Sequence, residues 1–273
     1  MLKQRVLTAV LLLPLVMAAI FALPPKWLVV LLALILLKGS AEYARLAAFS
    51  GRFTYYLLIE LQLAILIVLF IYREYWGTHA VAVLSIICLA WLLMFARLLW
   101  YRADDKPGRT YRVASFLTAI ISITTGWFAI SWLRMQPDGA WLILLLLLIV
   151  WAADTGAYFA GRRFGNSKLA PQISPGKTRA GLYGGLLLAP LVALLAVHMM
   201  PIEKIEALPL ILLSLVTALV SVGGDLLISM HKRTSGFKDS GNLLPGHGGV
   251  LDRLDSLLAA APFFALGLLV AGH

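Results

Sequence analysis

The chain contains nine mostly apolar stretches, several of which approach or exceed the roughly 20 residues that a helix needs to cross the hydrocarbon core of a bilayer. A water-soluble protein of 273 residues cannot bury them all, because 61% of the chain is hydrophobic and only 13% is charged. The hydrophobicity is continuous and does not alternate, which argues against a transmembrane β-barrel. The sequence therefore predicts an all-α fold, a polytopic transmembrane bundle forming one integral membrane domain over residues 1–273. The predicted spans run from Val6 to Leu23, Trp27 to Ala48, Tyr55 to Tyr72, Ala80 to Leu99, Val113 to Leu133, Ala140 to Ala160, Gly181 to Met200, Leu208 to Ile228 and Leu257 to Ala271.

Lysines and arginines are unevenly distributed between the two sides that these spans define. With the N-terminus in the cytoplasm, 18 of the 23 lie on the cytoplasmic side, and Lys38 falls in or near the second span. The positive-inside rule then predicts an N-in, C-out topology. Topology and attraction to anionic headgroups explain the net charge of +10, so membrane lipids are expected as partners and nucleic acid is not.

Two long segments on the predicted cytoplasmic side combine glycine, proline, hydroxyl, amide and charged residues. They read "GRRFGNSKLAPQISPGKTR" and "HKRTSGFKDSGNLLPGHGGVLDRLD". This composition suits the binding of anions by backbone N–H groups as well as by side chains. The sequence thus predicts a catalytic region over 151–256, which follows N-terminal spans in 1–150 and precedes the last span in 257–273.

The run "SPGKT" at 174–178 is similar to the end of a nucleotide-binding P-loop. Pro171 stands where the GxxxxGK pattern requires glycine, and no strand is expected before the run, so a Walker fold is excluded. A phosphate contact by Lys177 and the Gly176 backbone remains open. So does a helix N-terminus that carries a lysine of the cytoplasmic side.

Four aspartates lie in or near apolar spans, where a carboxylate needs a partner or a specific role to offset the cost of its charge. Asp154 and Asp225 lie in or at the ends of spans, where an ionised group costs roughly 2.5–3.5 kcal/mol at mid-membrane, so each needs a cation partner. Asp252 and Asp255 are three residues apart and share one face if the last helix begins near them. For this pair, helix capping and metal binding remain equally open.

Carboxylates, cations and glycine-rich backbone converge on one predicted membrane face, which favours a site for Mg²⁺ and substrate phosphates. His247 is flanked by glycines and suits a phosphate contact or proton transfer. His231 is interpreted as a loop or interface residue. Glu42 could join the same site, whereas Glu60 fits a snorkelling or paired position within the bundle.

From these residues, the chain resembles the bacterial phosphatidate cytidylyltransferase (CDP-diacylglycerol synthase) family. That family's signature has a serine, then KR, KD, a small residue, a proline, HGG and DRxD. The resemblance also covers the segment from Trp151 to Thr178 and the multi-span architecture. The residues that match the signature are Ser229, Lys232, Arg233, Lys238, Asp239, Gly241, Pro245, His247, Gly248, Gly249, Asp252, Arg253 and Asp255.

The resemblance implies a Mg²⁺-dependent enzyme that converts CTP and phosphatidic acid to CDP-diacylglycerol and pyrophosphate at the inner face of the bacterial inner membrane. Such a reaction needs phosphate charges offset and attack held in line, and these residues suit both demands. The metal candidates are Asp225, Asp239, Asp252 and Asp255. The catalytic candidates are Asp225, Asp252, Asp255, His247 and Lys238. The phosphate-binding candidates are Ser174, Gly176, Lys177, Lys232, Arg233, Gly248, Gly249 and Arg253.

The chain departs from the family pattern at three positions. Ile228 stands where an acidic residue is usual, His231 where an apolar residue is usual, and Ala180 where an acidic or amide residue is common. If the usual acid helps to bind metal, Ile228 alters the metal affinity.

Two other functions are weighed against this one. A CDP-alcohol phosphotransferase would carry a DGxxAR run, which is absent from the sequence. A transporter of an anionic solute would place its polar groups near the mid-membrane, whereas here they crowd one face. Small residues on the spans would also support contacts in a homodimer.

Overall fold

The computed structural model describes residues 2–47, 51–102, 107–202, 205–243 and 248–272. Within these ranges the chain forms ten helices and one two-stranded hairpin. The helices are α1 (Leu2–Ala22), α2 (Pro25–Leu46), α3 (Arg52–Ile71), α4 (Arg73–Thr78), α5 (Ala80–Leu99), α6 (Arg109–Met135), α7 (Gly139–Phe164), α8 (Arg179–Met199), α9 (Ala207–Thr234) and α10 (Leu251–Val270). The strands β1 (Lys168–Ala170) and β2 (Ser174–Thr178) lie between α7 and α8.

Eight of the described helices, α2, α3 and α5 to α10, are long and apolar enough to cross a membrane. This confirms the predicted polytopic helical bundle. Within the part of α1 whose side chains the structure describes, the apolar stretch is Val10–Ala22, so the ninth predicted span stays a prediction. The short helix α4 lies between the third and fourth predicted spans.

The outer surface of the bundle is apolar, as expected for a protein solvated by lipid. Large aliphatic side chains such as Ile86 and Leu195 are more than two-thirds exposed. Serine and threonine side chains such as Ser122, Ser214 and Thr217 are instead buried between the helices. This inverts the pattern of a water-soluble globule, where so much exposed apolar surface is disfavoured.

The helices that carry the signature are longer than the apolar runs that predicted them. α9 continues past Ile228 to Thr234, and α10 begins at Leu251 and not at Leu257. Hydropathy falls where the charged residues begin, but helical hydrogen bonding continues through them. As a result, Lys232 and Arg233 lie on the end of α9, and the DRxD residues lie on the start of α10.

The segment before α8 forms a hairpin where the sequence analysis expected a loop. β1 pairs antiparallel with β2, with Lys168 opposite Thr178 and Ala170 opposite Ser174. The expectation that no strand precedes "SPGKT" was therefore wrong, because strand pairing satisfies its backbone groups. Thr178 then caps α8 by accepting a hydrogen bond from the Gly181 N–H, at 3.1 Å.

Glycines allow two pairs of helices to approach until their backbones touch. On α7, a Cβ at Gly156 would overlap the backbone of Gly184 on α8. On α9, a Cβ at Gly224 would lie 2.6 Å from the carbonyl oxygen of Asp255 on α10. Such small-residue contacts are common where membrane helices pack closely. The second contact places Asp225 directly beside the start of α10.

Replacing Gly224 by alanine is expected to destabilise the protein by about 1–3 kcal/mol, because the new methyl group overlaps α10 and outweighs the gain in helix propensity. Thermal unfolding in detergent checks this. Gly77→Ala in α4 is the matched control, since a Cβ there meets nothing within 4 Å. An unchanged melting temperature for Gly224→Ala would contradict the close packing of α9 on α10.

Candidate functional site

The hairpin and the ends of several helices meet at one end of the bundle. α9 ends there, and α8 and α10 begin there. Two ion pairs join these elements: Lys177 of β2 with Asp225 of α9, and Lys232 of α9 with Asp252 of α10. The structure thus brings together four of the residues that the sequence analysis placed in one site.

Asp225 has polar partners for both of its carboxylate oxygens. Its Oδ2 lies 2.6 Å from Lys177 Nζ, and its Oδ1 accepts a hydrogen bond of 3.1 Å from Ser229 Oγ. The side chains of Lys177 and Asp225 are 24% and 29% exposed, so the pair is open to a ligand. Lys177 is therefore the cation that this aspartate was expected to need.

Asp252 is held by four donors on two sides. Lys232 Nζ lies 2.7 Å from Oδ1. Oδ2 accepts hydrogen bonds from the N–H groups of Ser240, at 2.8 Å, and Gly249, at 2.9 Å, and from Ser240 Oγ, at 3.0 Å. The loop between α9 and α10 is thereby folded around this carboxylate.

Asp252 and Asp255 do not cap α10, which decides one of the alternatives left open by the sequence. The first N–H groups of the helix, those of Val250 and Leu251, donate to the carboxylate of Glu42 instead. Both aspartates lie beside α9, which agrees with their predicted common face: Asp252 pairs with Lys232, and the carboxylate of Asp255 is within electrostatic range of Asp225. Neither carboxylate is therefore used to cap α10, although Asp252 is held by the four donors described above.

Asp255 is buried, with 8% of its surface exposed. Its Oδ1 accepts a hydrogen bond of 2.8 Å from the Ser256 N–H. Its charge is repelled by that of Asp225 and attracted by those of Lys177 and Lys232. Two negative charges that lie close together in a partly buried site favour the binding of a cation between or beside them.

Asp154 of α7 lies within electrostatic range of the same cluster. Its charge is attracted by Lys177 and Arg253 and repelled by Asp225. Arg253 is exposed on α10 and contributes positive charge to the side of the cluster that faces α7. Asp154 was expected from the sequence to need a cation, but it was not among the predicted site residues.

The remaining predicted site residues include Arg233 near the end of α9, Ser174 and Gly176 in β2, and Lys238 and Asp239 in the loop after α9. Arg233 is exposed, and its Nε donates a hydrogen bond of 3.2 Å to the carbonyl oxygen of Ile173, so it fastens α9 to the hairpin. Lys238 and Asp239 are exposed in the loop after α9, Ser174 is half-buried in β2, and Gly176 is exposed there. A Cβ at Gly176 would meet nothing within 4 Å, so the hairpin is open to a ligand at this point.

The glycines of the "HGG" run contact protein side chains. Gly248 has a φ of +84°, which favours glycine, and a Cβ there would lie 2.5 Å from Asp252 Oδ2. The Gly249 N–H is bonded to the same aspartate. Both glycines thus shape the loop around Asp252, and their predicted contact with phosphates stays a prediction. His247 lies outside the described residues.

The three departures from the family pattern have different surroundings. Ile228 is 2% exposed and packs in the apolar core. His231 is fully buried at the interface of α9 with α6, where its Nδ1 lies 3.1 Å from Ser115 Oγ and 3.2 Å from the Tyr111 hydroxyl. This confirms its interpretation as an interface residue. Ala180 is half-buried in the first turn of α8.

The carboxylates of the site suit a magnesium ion that would take most of its ligands from phosphates and water. Among the residues that the structure describes, no three acidic, histidine or cysteine side chains form a preformed metal cluster. Mg²⁺ commonly takes only one or two carboxylates from a protein and the rest of its ligands from phosphates and water. The mutually repelling pair of Asp225 and Asp255 suits that arrangement.

Sequence reasoning missed Ser240, whose hydroxyl and N–H both bond to Asp252. A serine inside a polar loop carries no pattern that marks it. Glu42 was noted only as a residue that could join the site. Its signal was an acidic residue near the end of an apolar span, and its partners became visible only in the tertiary structure.

Fold and site together define a multi-pass membrane protein with paired lysines and aspartates at one end of its helical bundle. The chain belongs to the cytidylyltransferase family, whose sequence model matches residues 3–271. It is therefore a nucleotidyltransferase by family.

Named relatives resemble the chain over nearly its full length. It is 39% identical to the phosphatidate cytidylyltransferase of Pseudomonas aeruginosa, with 100% of this chain and 98% of that protein covered. It is 35% identical to the phosphatidate cytidylyltransferase of Haemophilus influenzae, with coverage of 97% and 98%. The phosphatidate cytidylyltransferase of Rickettsia bellii is 46% identical over 50% of this chain and 62% of its own length.

Proposed function

We propose that this protein is a phosphatidate cytidylyltransferase that makes CDP-diacylglycerol and pyrophosphate from CTP and phosphatidic acid. The observation that carries this proposal is the pairing of Lys177 with Asp225 and of Lys232 with Asp252 at one end of an apolar bundle. The near full-length similarity to relatives of that name supports the same activity. This similarity favours a nucleotidyltransferase over a CDP-alcohol phosphotransferase or a transporter.

The reaction joins a phosphate oxygen of phosphatidic acid to the α-phosphorus of CTP. The bond from that phosphorus to the oxygen bridging to the β-phosphate breaks, and pyrophosphate leaves with the electron pair. The nucleophile is already an anion, so no general base is required. The main barrier is repulsion between the two phosphate groups, together with the need for in-line geometry.

The residues of the site meet these demands through charge and position. Lys177 and Lys232, with Arg233, Lys238 and Arg253 around them, offset the phosphate charges. Asp225 and Asp255 would hold Mg²⁺, with Asp239 and Asp252 as further candidates. When bound, Mg²⁺ neutralises charge on the phosphates and orients them.

We further propose that the site faces the cytoplasm in the bacterial inner membrane, with the N-terminus inside and the C-terminus outside. The bias of lysines and arginines toward one side supports this orientation. It also gives the site access to cytoplasmic CTP, while the phosphatidic acid is supplied laterally by the bilayer.

An assay with purified protein tests the activity. The protein in detergent is incubated with CTP, phosphatidic acid and Mg²⁺, and the products are analysed for lipid-linked CMP and pyrophosphate. Equal amounts of both are expected, and no product when EDTA replaces Mg²⁺. Folded protein that forms neither product in the presence of Mg²⁺ would refute the proposal, and full activity in EDTA would refute its metal component.

Ile228, which stands where the family usually has an acidic residue, allows a separate prediction about the Mg²⁺ requirement. Ile228→Glu is expected to lower the Mg²⁺ concentration for half-maximal activity by about tenfold, because a third carboxylate is then one helical turn from Asp225. It should also lower the melting temperature in EDTA, since Ile228 is buried. Ile228→Gln, of similar shape but uncharged, is the control. A Mg²⁺ titration identical to that of the unmodified protein would show that this position does not affect the metal.

A further inference from the structure

Glu42 is a buried carboxylate outside the signature region. It lies in the last part of α2 and is 3% exposed. Nearly 200 residues separate it in sequence from the loop between α9 and α10 that it contacts. A buried carboxylate is costly unless donors surround it, so its partners indicate what it stabilises.

Among the residues that the structure describes, the hydrogen bonds to Glu42 come from that loop and from the start of α10. Oε1 accepts from the Val250 N–H at 3.0 Å, and Oε2 from the Leu251 N–H at 3.0 Å and from Ser240 Oγ at 2.9 Å. The first N–H groups of a helix have no partner within it, and its dipole favours an anion there. Glu42 therefore fixes where α10 begins.

Two signature glycines are packed against the same carboxylate. A Cβ at Gly241 would lie 2.5 Å from Glu42 Oε1, and one at Gly249 would overlap Oε2. Any side chain at either position would displace the loop from Glu42. The close approach of the loop to α2 is thus one physical reason for glycine at both positions.

Ser240 links Glu42 to the site. Its hydroxyl lies 2.9 Å from Glu42 Oε2 and 3.0 Å from Asp252 Oδ2, and its single hydrogen can go to only one of them at a time. Its N–H donates to Asp252 as well. A shift of Glu42 would therefore move Ser240 and, with it, the carboxylate that pairs with Lys232.

We propose that Glu42 is a positioning residue for nucleotidyl transfer. It anchors the loop and the start of α10 so that Asp252 stays paired with Lys232 and Asp255 stays beside Asp225. The proposal rests on the proposed function, because it assigns Glu42 a role in that reaction. Glu42 acts through Ser240 and the α10 backbone and does not itself touch substrate or metal.

The test compares Glu42→Gln and Ser240→Ala with the unmodified protein. Glu42→Gln places an N–H₂ group where a carboxylate oxygen accepted hydrogen bonds from backbone N–H groups. Ser240→Ala removes only the hydroxyl that lies between Glu42 and Asp252. Both variants are expected to lower kcat at least about tenfold per folded molecule, because small displacements of reacting groups are costly. The KM for CTP is expected to stay within about twofold, since Lys177 and the hairpin are unchanged.

Hydrogen exchange provides a readout that does not depend on activity. Peptides covering 248–256 are expected to exchange faster in Glu42→Gln, while peptides from α7 and α8 keep their rates. The matched controls are Glu60→Gln, an exposed carboxylate on α3, and Ser85→Ala, whose hydroxyl bonds within α5 to the carbonyl oxygen of Val81. Both controls are expected to retain activity and exchange rates.

Unchanged kcat together with unchanged exchange in both variants would overturn the proposal. A changed Mg²⁺ requirement with unchanged exchange would also overturn it, because Glu42 would then act on the metal directly. If Glu42→Gln does not fold, Ser240→Ala decides. If the unmodified protein makes no CDP-diacylglycerol, the proposed function fails. Even then, faster hydrogen exchange at 248–256 in Glu42→Gln than in the unmodified protein would show that Glu42 anchors the loop.

Discussion

Replacing Asp255 by asparagine is expected to lower turnover by about 100-fold to 1000-fold, the effect of removing one preorganised electrostatic group from a phosphate-transfer site. The substitution keeps the shape of the side chain but removes one of the two carboxylates that face each other at the junction of α9 and α10. Production of CDP-diacylglycerol at saturating CTP and Mg²⁺ measures the effect.

The same substitution is expected to leave the melting temperature unchanged or to raise it. Asp255 is buried and its charge is repelled by that of Asp225. A neutral amide removes both the cost of burying a charge and this repulsion. Lost activity without lost stability would mark a residue kept for function. The control is Asp138→Asn at the opposite end of α7, which should change neither quantity. Activity like that of the unmodified protein would contradict the metal-binding role of Asp255.

Asp252→Asn is expected to lose activity to a similar extent but also to lose stability. Asp252 accepts from Lys232, Ser240 and Gly249, and an amide nitrogen cannot accept all of these hydrogen bonds. The two aspartates of the DRxD run should therefore separate in a thermal unfolding experiment, although both are needed for turnover.

Lys177→Met is expected to have the second large effect, lowering kcat/KM for CTP by about 100-fold. The substitution removes a cation 2.6 Å from Asp225 and leaves Asp154, Asp225 and Asp255 with less positive charge around them. An anionic substrate then meets repulsion where it met attraction, which costs on the order of 2–5 kcal/mol when one partner of a close charge pair is removed. Lys177→Arg should restore part of the activity, because it restores the charge but not the shape.

Lys168→Met is the matched control, since Lys168 is exposed on the neighbouring strand of the same hairpin. It is expected to keep kcat/KM within about twofold, as exposed charges contribute little individually. Equal losses for Lys168→Met and Lys177→Met would show that the hairpin attracts CTP only through its net charge. The specific role of Lys177 would then be rejected.

The sequence alone was sufficient for the class of fold and for the residue types of the site. Apolar runs of span length predict membrane helices because the bilayer leaves few other ways to satisfy backbone groups. The signature between Ser229 and Asp255 gave the family, which the match over residues 3–271 confirmed. Hydropathy predicted the apolar spans within α9 and α10 but not where these helices end, because charged residues that pair with each other can continue a helix.

Tertiary structure alone decided which partner each charge takes. No spacing in the sequence shows that Lys177 pairs with Asp225, or that Glu42 and not Asp252 receives the first N–H groups of α10. Local pattern and composition determine which segments are helical and apolar, because those properties depend on neighbours along the chain. The site depends on contacts between segments up to about 200 residues apart, and these exist only after glycine contacts bring the helices together.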